Sequence, residues 1–288
     1  MGRRGAAVGA VIVAAWLLAA AAQGSAADNV QAASLPVVAE ADQQRGQGAS
    51  GPTPPAPTLG WRQESVAPEP APEPEPEPEP DVRPAVVDCA VLACVALTFD
   101  DGPAEYTGAL LDVLAAKGVP ATFFVLGIQV EQFPDIVIRM AAEGHAIGNH
   151  SWSHPRLTNL SPEQAGWQLD ATNTVIAQLT GVTPTLVRPP YGTSNATVLA
   201  VIGDRGAVSV LWSVDTEDWR NRDVEVTTAR ALTDVEPGSI ILMHDIRPTT
   251  VEAIGGIVDQ LQAAGFTLVT VDALLGPVTP GGSYRHRP

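Results

Sequence analysis

From Val95 onward the chain repeats one pattern: a short apolar or β-branched run, then a segment with apolar residues at helical spacing. The runs are Val95–Phe99, Ala121–Leu126, Ala146–Gly148, Thr185–Val187, Ala207–Trp212, Ser239–Met243 and Phe266–Val269. Between them fall helical sets such as Leu110, Leu111 and Leu114, or Ala253, Ile257 and Leu261. Strand then helix, repeated, implies parallel strands covered on both faces. The alternation predicts an α/β fold over residues 85–288, a distorted or incomplete (β/α) barrel of about seven parallel strands in one domain. With 45% hydrophobic residues the chain has the material for an ordinary core.

The first 84 residues read differently. Arg3 and Arg4 precede an apolar run from Ala6 to Ala22, followed by Gly24, Ser25 and Ala26, which is the layout of a secretory signal over residues 1–26. The run is short for a membrane span, so cleavage is preferred to retention as an anchor. No Cys follows it, so a lipid anchor is excluded. Residues 27–84 hold 13 of the 26 prolines and no sustained period, which predicts a disordered tether. From Pro68 to Pro80 proline alternates with Glu or Ala, a pattern for an extended rod of roughly 40 Å.

Formal charge is -16, and residues 85–288 alone carry 22 acids against 11 bases. A phosphate backbone would be repelled, so nucleic acid is excluded as a partner, and a neutral, cationic or metallic one is expected. Export also bears on Cys89 and Cys94, the two cysteines of the chain. In an oxidising compartment they are expected to form a disulfide that fixes the lead-in to the first strand.

The polar residues that need explaining all follow a strand. They are Asp100-Asp101-Gly102-Pro103, Asn149 to His154, Arg188 to Gly192, Asp215 to Trp219, and His244-Asp245. In a (β/α) barrel these positions converge on one face, the mouth where sites are built. Adjacent carboxylates repel unless a cation lies near, and strand alternation sends the two side chains in different directions. His150 and His154 stand four apart, which predicts one side of a helical turn that Pro155 ends. Two histidines and a strand-end carboxylate make a zinc-type set with a coordination position left for water and substrate. His145 reads as structural and His286 as tail. Asp245 is either a partner to the site or a helix N-cap, and Arg220 and Arg222 are either paired surface charges or readers of a substrate carboxylate.

The segments Thr98–Pro103, His150–His154, Arg188–Tyr191, Asp215–Trp219 and Leu242–Asp245 resemble, in order, the five motifs of the polysaccharide deacetylases, the NodB homology domain of carbohydrate esterase family 4. The resemblance spans about residues 95–275. It implies a hydrolase in which Asp101, His150 and His154 hold one divalent metal ion, zinc foremost, with cobalt or another divalent ion as alternatives. It implies Asp100 as general base paired with Arg188, and His244 as general acid tuned by Asp218. Tyr191 would lend its backbone N–H to the oxyanion, while Trp219 and Leu242 would wall the acetyl pocket. An amide is unreactive, so a polarised carbonyl, an activated water and an acid for the departing amine are all required.

The substrate expected is a polymeric N-acetylhexosamine glycan. Peptidoglycan N-acetylglucosamine comes first, because signal and tether place the domain outside the membrane and near a cell wall. Chitin or its oligomers come next, then acetylxylan. A monomer is expected, with membrane contact only if the N-terminal segment is kept. A non-catalytic wall-binding protein would have lost Asp100, a metal ligand or His244, and a two-carboxylate glycosidase would need no histidine pair.

Overall fold

The computed structural model describes residues 87–288. The expected signal (1–26) and tether (27–84) lie outside the described residues. The chain runs β1 (Cys94–Asp100), α1 (Thr107–Lys117), β2 (Thr122–Val125), α2 (Gly127–Gln132), α3 (Pro134–Ala142), β3 (Ala146–Asn149), α4 (Pro162–Thr180), β4 (Leu186–Val187), α5 (Ala196–Gly203) and β5 (Val208–Val210). It continues with β6 (Val214–Asp215), α6 (Asp218–Asn221), α7 (Val224–Leu232), β7 (Ile240–His244), α8 (Pro248–Ala263), β8 (Thr267–Leu268), α9 (Val271–Leu275) and β9 (Ser283–Tyr284).

All nine strands pair in parallel, in the order β6-β7-β1-β2-β3-β4-β5-β9, with β8 beside the start of β1. This is the distorted, incomplete barrel that the alternation predicts, with nine strands in place of about seven. The additions, β6 and β9, are two residues each, too short to carry a period. No ladder joins β6 to β9 among the described residues, so the curl stays open there.

The central strand shows how alternation sorts the chain. All seven residues of β1 are buried. Val95, Leu97 and Phe99 pack outward with α1 and α8 residues such as Leu110, Leu111, Leu114, Ile257 and Leu261. Ala96 faces the other way, with Phe124, Val210 and Ile240, inside the curl. Thr98 and Asp100 continue that inner column, where Arg188 reaches both. The parallel register then sets Asp100 beside His244 of β7 and Thr98 beside Leu242.

Local signals fix the helices. Ser161 and Gln164 close a capping box over α4, which begins at Pro162 and ends at Gly181 in the left-handed region (φ 74°). Asn195 and Asp223 cap α5 and α7 with their side chains. Cys89 and Cys94 are joined, with Cα atoms 5.4 Å apart, so β1 starts from a pinned loop as expected. The C-terminal segment is more than a tail: β9 extends the sheet, and His286 bridges Ser239 and lies against Gly238. Among the described residues no helix is long and apolar enough to cross a membrane.

Candidate active site

The loops leaving β1, β3, β4, β5, β6 and β7 surround a cleft of about 470 Å³. It is lined by Asp100, Asp101, His150, His154, Tyr191, Trp219, Leu242 and His244 from the sequence-derived set, and by Gly192, Trp212, Asp215 and Arg247 besides. Arg188 and Asp218 stand behind this lining, bonded to Asp100 and His244.

Asp100 and Asp101 part as alternation requires. Asp100 ends β1 pointing inward, 3% exposed, and accepts a 2.7 Å hydrogen bond from Arg188 Nη1. Burial pushes its carboxyl upward, against the Arg188 and His244 charges that hold it down. Arg188 is fully buried; it also donates to Thr98 Oγ1 and to the carbonyls of Val210 and Leu211, and lies 4.1 Å over the Phe124 ring. Asp101 lies past the strand end in the left-handed region (φ 73°) and turns toward the histidines. Gly102 follows because a side chain there would run into the Asp245 carboxylate.

His150 and His154 meet without a helical turn, which corrects the expectation from their spacing. Residues 150–154 form a loop in which Ser151 (φ 72°) and His154 (φ 61°) both take left-handed backbone. Gln168 of α4 accepts from the Trp152 and Ser153 N–H groups, Asn149 from Ser151, and Ser151 Oγ from His154. The rings end 4.9 Å apart. His150 Nδ1 donates to the Arg188 carbonyl at 2.6 Å, which leaves Nε2 as the free lone pair. Burial foremost lowers its pKa to about 3, so the ring is neutral, as a ligand must be.

These residues fit a divalent ion. Asp101 Oδ1 is buried with no hydrogen-bond partner and sits 3.5 Å from His150 Nε2 and 3.4 Å from His154 Nε2. Two atoms about 2.1 Å from one ion at the tetrahedral angle lie about 3.4 Å apart. Both histidines stand at that spacing from an orphaned carboxylate oxygen, and the three donor atoms lie within 4.8 Å of one another, a set that could hold one ion.

Across the cleft His244 Nδ1 donates to Asp218 Oδ1 at 2.8 Å. Asp218 is fully buried and also accepts from the His244 and Trp219 N–H groups and the Thr250 hydroxyl. Burial alone would lower the His244 pKa; the hydrogen bond and charge of Asp218 outweigh it and raise the value to about 9. The ring is therefore protonated at neutral pH, with Nε2–H free. Tyr191 (φ 62°) stands at the rim, half-exposed, its ring against His154 and under Arg156. Trp219 is 48% exposed, so it is a cleft wall and no core residue.

Three further readings resolve. Asp245 caps no helix: it is buried against Gly102, next to Asp101, and accepts from Thr107 Oγ1. His145 is structural, accepting the Ala121 N–H at Nδ1. Arg220 pairs loosely with Glu217 at 3.7 Å, and neither it nor Arg222 lines the cleft. Sequence reasoning passed over Trp212 and Arg247; both stand within three residues of a strand end, the one signal that pointed to them.

Comparison with known proteins agrees with this geometry. Residues 91–210 match the family model for polysaccharide deacetylase. The chain is 43% identical over 183 residues to the peptidoglycan N-acetylglucosamine deacetylase of Listeria monocytogenes, covering 63% of this chain and 39% of that protein. It is 44% identical over 181 residues to the peptidoglycan N-acetylmuramic acid deacetylase of Bacillus subtilis, covering 62% and 38%. It therefore spans about two fifths of the length of these curated relatives. Among solved structures, a family 4 acetyl xylan esterase from Clostridium thermocellum in complex with a cobalt ion superposes with a TM-score of 0.64 at 36% identity, covering 68% of this chain and 99% of that one. A parallel half-barrel, the five motif loops gathered at its mouth and these likenesses lead to one assignment: the chain belongs to the polysaccharide deacetylase family.

Proposed function

We propose that this chain is a secreted, metal-dependent deacetylase that hydrolyses the N-acetyl groups of N-acetylglucosamine in peptidoglycan. One observation carries the reading: a base paired with Arg188, an acid paired with Asp218 and a three-donor ion site all open on one cleft. Asp101, His150 and His154 would hold the ion, zinc in the first instance, which supplies Lewis-acid polarisation of the acetamide carbonyl and of the attacking water. Asp100 takes the proton from that water, and Arg188 fixes the carboxylate toward it. His244 Nε2–H gives its proton to the departing amine, while Asp218 holds the ring by Nδ1 and keeps it charged. The Tyr191 backbone N–H serves the oxyanion, and Trp219 and Leu242 enclose the acetyl methyl.

The relatives whose names refer to peptidoglycan support the wall polymer as substrate. Residues 1–26 as signal and 27–84 as tether would carry domain 85–288 to it. Chitin and acetylxylan, neutral polymers with the same acyl group, are the alternatives. Acetate release on peptidoglycan, chitohexaose and acetylxylan, measured side by side with chelated enzyme as control, decides among them. Fastest release from peptidoglycan is expected, and no release from any of the three would overturn the reading.

A further inference from the structure

Nearly every charged side chain in the cleft is engaged. Asp100 is bound to Arg188, His244 to Asp218, and Asp215 accepts from Trp212 Nε1 at 3.2 Å and from the Glu217 N–H at 2.9 Å. Asp101, His150 and His154 face one another. Arg247 lines the same cleft, yet its buried Nε has no hydrogen-bond partner, and no carboxylate stands within ion-pair reach of it among the described residues.

Its place in the fold makes this costly. Arg247 is the N-cap of α8, a helix of 16 residues, and makes no side-chain capping bond. Ser, Thr, Asp or Asn would satisfy an open N–H there, and the positive end of the helix dipole repels a cation. Local rules disfavour arginine at this position twice, with no structural return. A residue that breaks such rules beside a reaction site points to recognition.

A guanidinium offers a planar fork of donors that matches a carboxylate. Chitin and acetylxylan carry none in their repeating sugars, whereas the lactyl ether of N-acetylmuramic acid does. We propose that Arg247 binds a carboxylate of the glycan, so that the cleft takes an anionic N-acetylhexosamine strand in preference to a neutral one. This rests on the deacetylase reading and names its substrate class. It also revises the expectation, drawn from 22 acids against 11 bases, that the partner is not anionic. Distant charges are screened beyond about 8 Å at physiological salt, so the cation in the cleft outweighs the acidic surface.

The test compares N-acetylglucosamine–N-acetylmuramic acid oligosaccharides bearing the free lactyl acid with the same oligosaccharides converted to lactyl carboxamides. The holoenzyme and Arg247→Asn are assayed for kcat/KM by acetate release. Affinity is measured by calorimetry on the de-N-acetylated forms, which cannot turn over. The wild type is expected to favour the acid by about tenfold or more in both measurements, and the variant to lose that ratio. Asn is a good N-cap, so Arg247→Asn should raise Tm by about 2 °C, which separates lost recognition from lost folding. An equal ratio in both proteins, or no preference in the wild type, overturns the proposal. Failure of the deacetylase reading shows separately, as no acetate from any substrate, while the calorimetric ratio still decides the role of Arg247.

Discussion

The two ends of the sheet solve the same backbone problem in opposite ways. At the floor, where helices turn back into strands, α1 and α4 stop at Gly118 (φ 64°) and Gly181 (φ 74°). At the mouth the same left-handed backbone is taken by Asp101, Ser151, His154, Tyr191 and Glu217. Each side chain in that region costs about 1 kcal/mol that glycine avoids. The floor takes the cheaper residue at Gly118, Gly181 and Gly206 (φ 69°), although Asp234 (φ 56°) before β7 departs from this, as Gly192 (φ 63°) does at the mouth. The mouth carries this strain at residues that line the cleft, Asp101, His154 and Tyr191 among them. Buried polar atoms do not divide the same way: His145 near the floor accepts a backbone N–H at Nδ1 but leaves Nε2 without a hydrogen-bond partner, as Asp101 Oδ1 is left at the mouth.

The largest effect should separate the two neighbouring mouth aspartates. Asp100→Asn should lower acetate release by roughly two to four orders of magnitude and leave bound metal, measured by mass spectrometry, unchanged. Asp101→Ala should lose metal and activity together. Equal metal loss in both would make Asp100 a ligand.

Beneath the mouth, Arg188→Met would strand Asp100 as a buried, unpaired carboxylate. The expected cost is about 3–5 kcal/mol, read as a lower urea midpoint. A loss below about 1 kcal/mol would mean that stability resides in the floor alone.

Asp218→Asn tests the mouth through pH. His244 must be protonated to act as acid, so activity falls as pH rises through its pKa, about 9 with Asp218 in place. Removing the carboxylate should move that alkaline limb to lower pH; an unmoved limb would assign it to another group. His244 contributes its share of the pair's stability fully below pH 6.5 and loses it as pH rises through about 9, while the depressed Asp218 carboxyl contributes above pH 3.8 and loses its share as pH falls further.

The smallest effects are of opposite sign. Gly181→Ala at the floor should lower Tm by about 2–4 °C. Arg222→Gly, which replaces a left-handed arginine (φ 50°) ending α6, should raise it by a similar or smaller amount. Neither should change acetate release. Two shifts of one sign would refute the account of backbone strain.

Much of this architecture is legible in the chain before any coordinates. Strand-helix alternation implies the parallel curl, and period two along Ala96, Thr98 and Asp100 sends Asp100 inward and Asp101 elsewhere. The five polar segments following strands mark the mouth, and Cys89 and Cys94 their own link. These are local patterns, carried by residues a few positions apart. Tertiary structure alone decided the rest. β6 and β9 are two residues long and exist because β7 and β5 offer them edges. The 150–154 loop is held by Gln168, which lies on a helix beyond it, so spacing alone suggested a helical turn that does not form. Arg247 faces the cleft because α8 begins at its rim. In each case the deciding partner is distant in sequence, and hydrogen bonds and packing across that distance outweigh what neighbouring residues prefer.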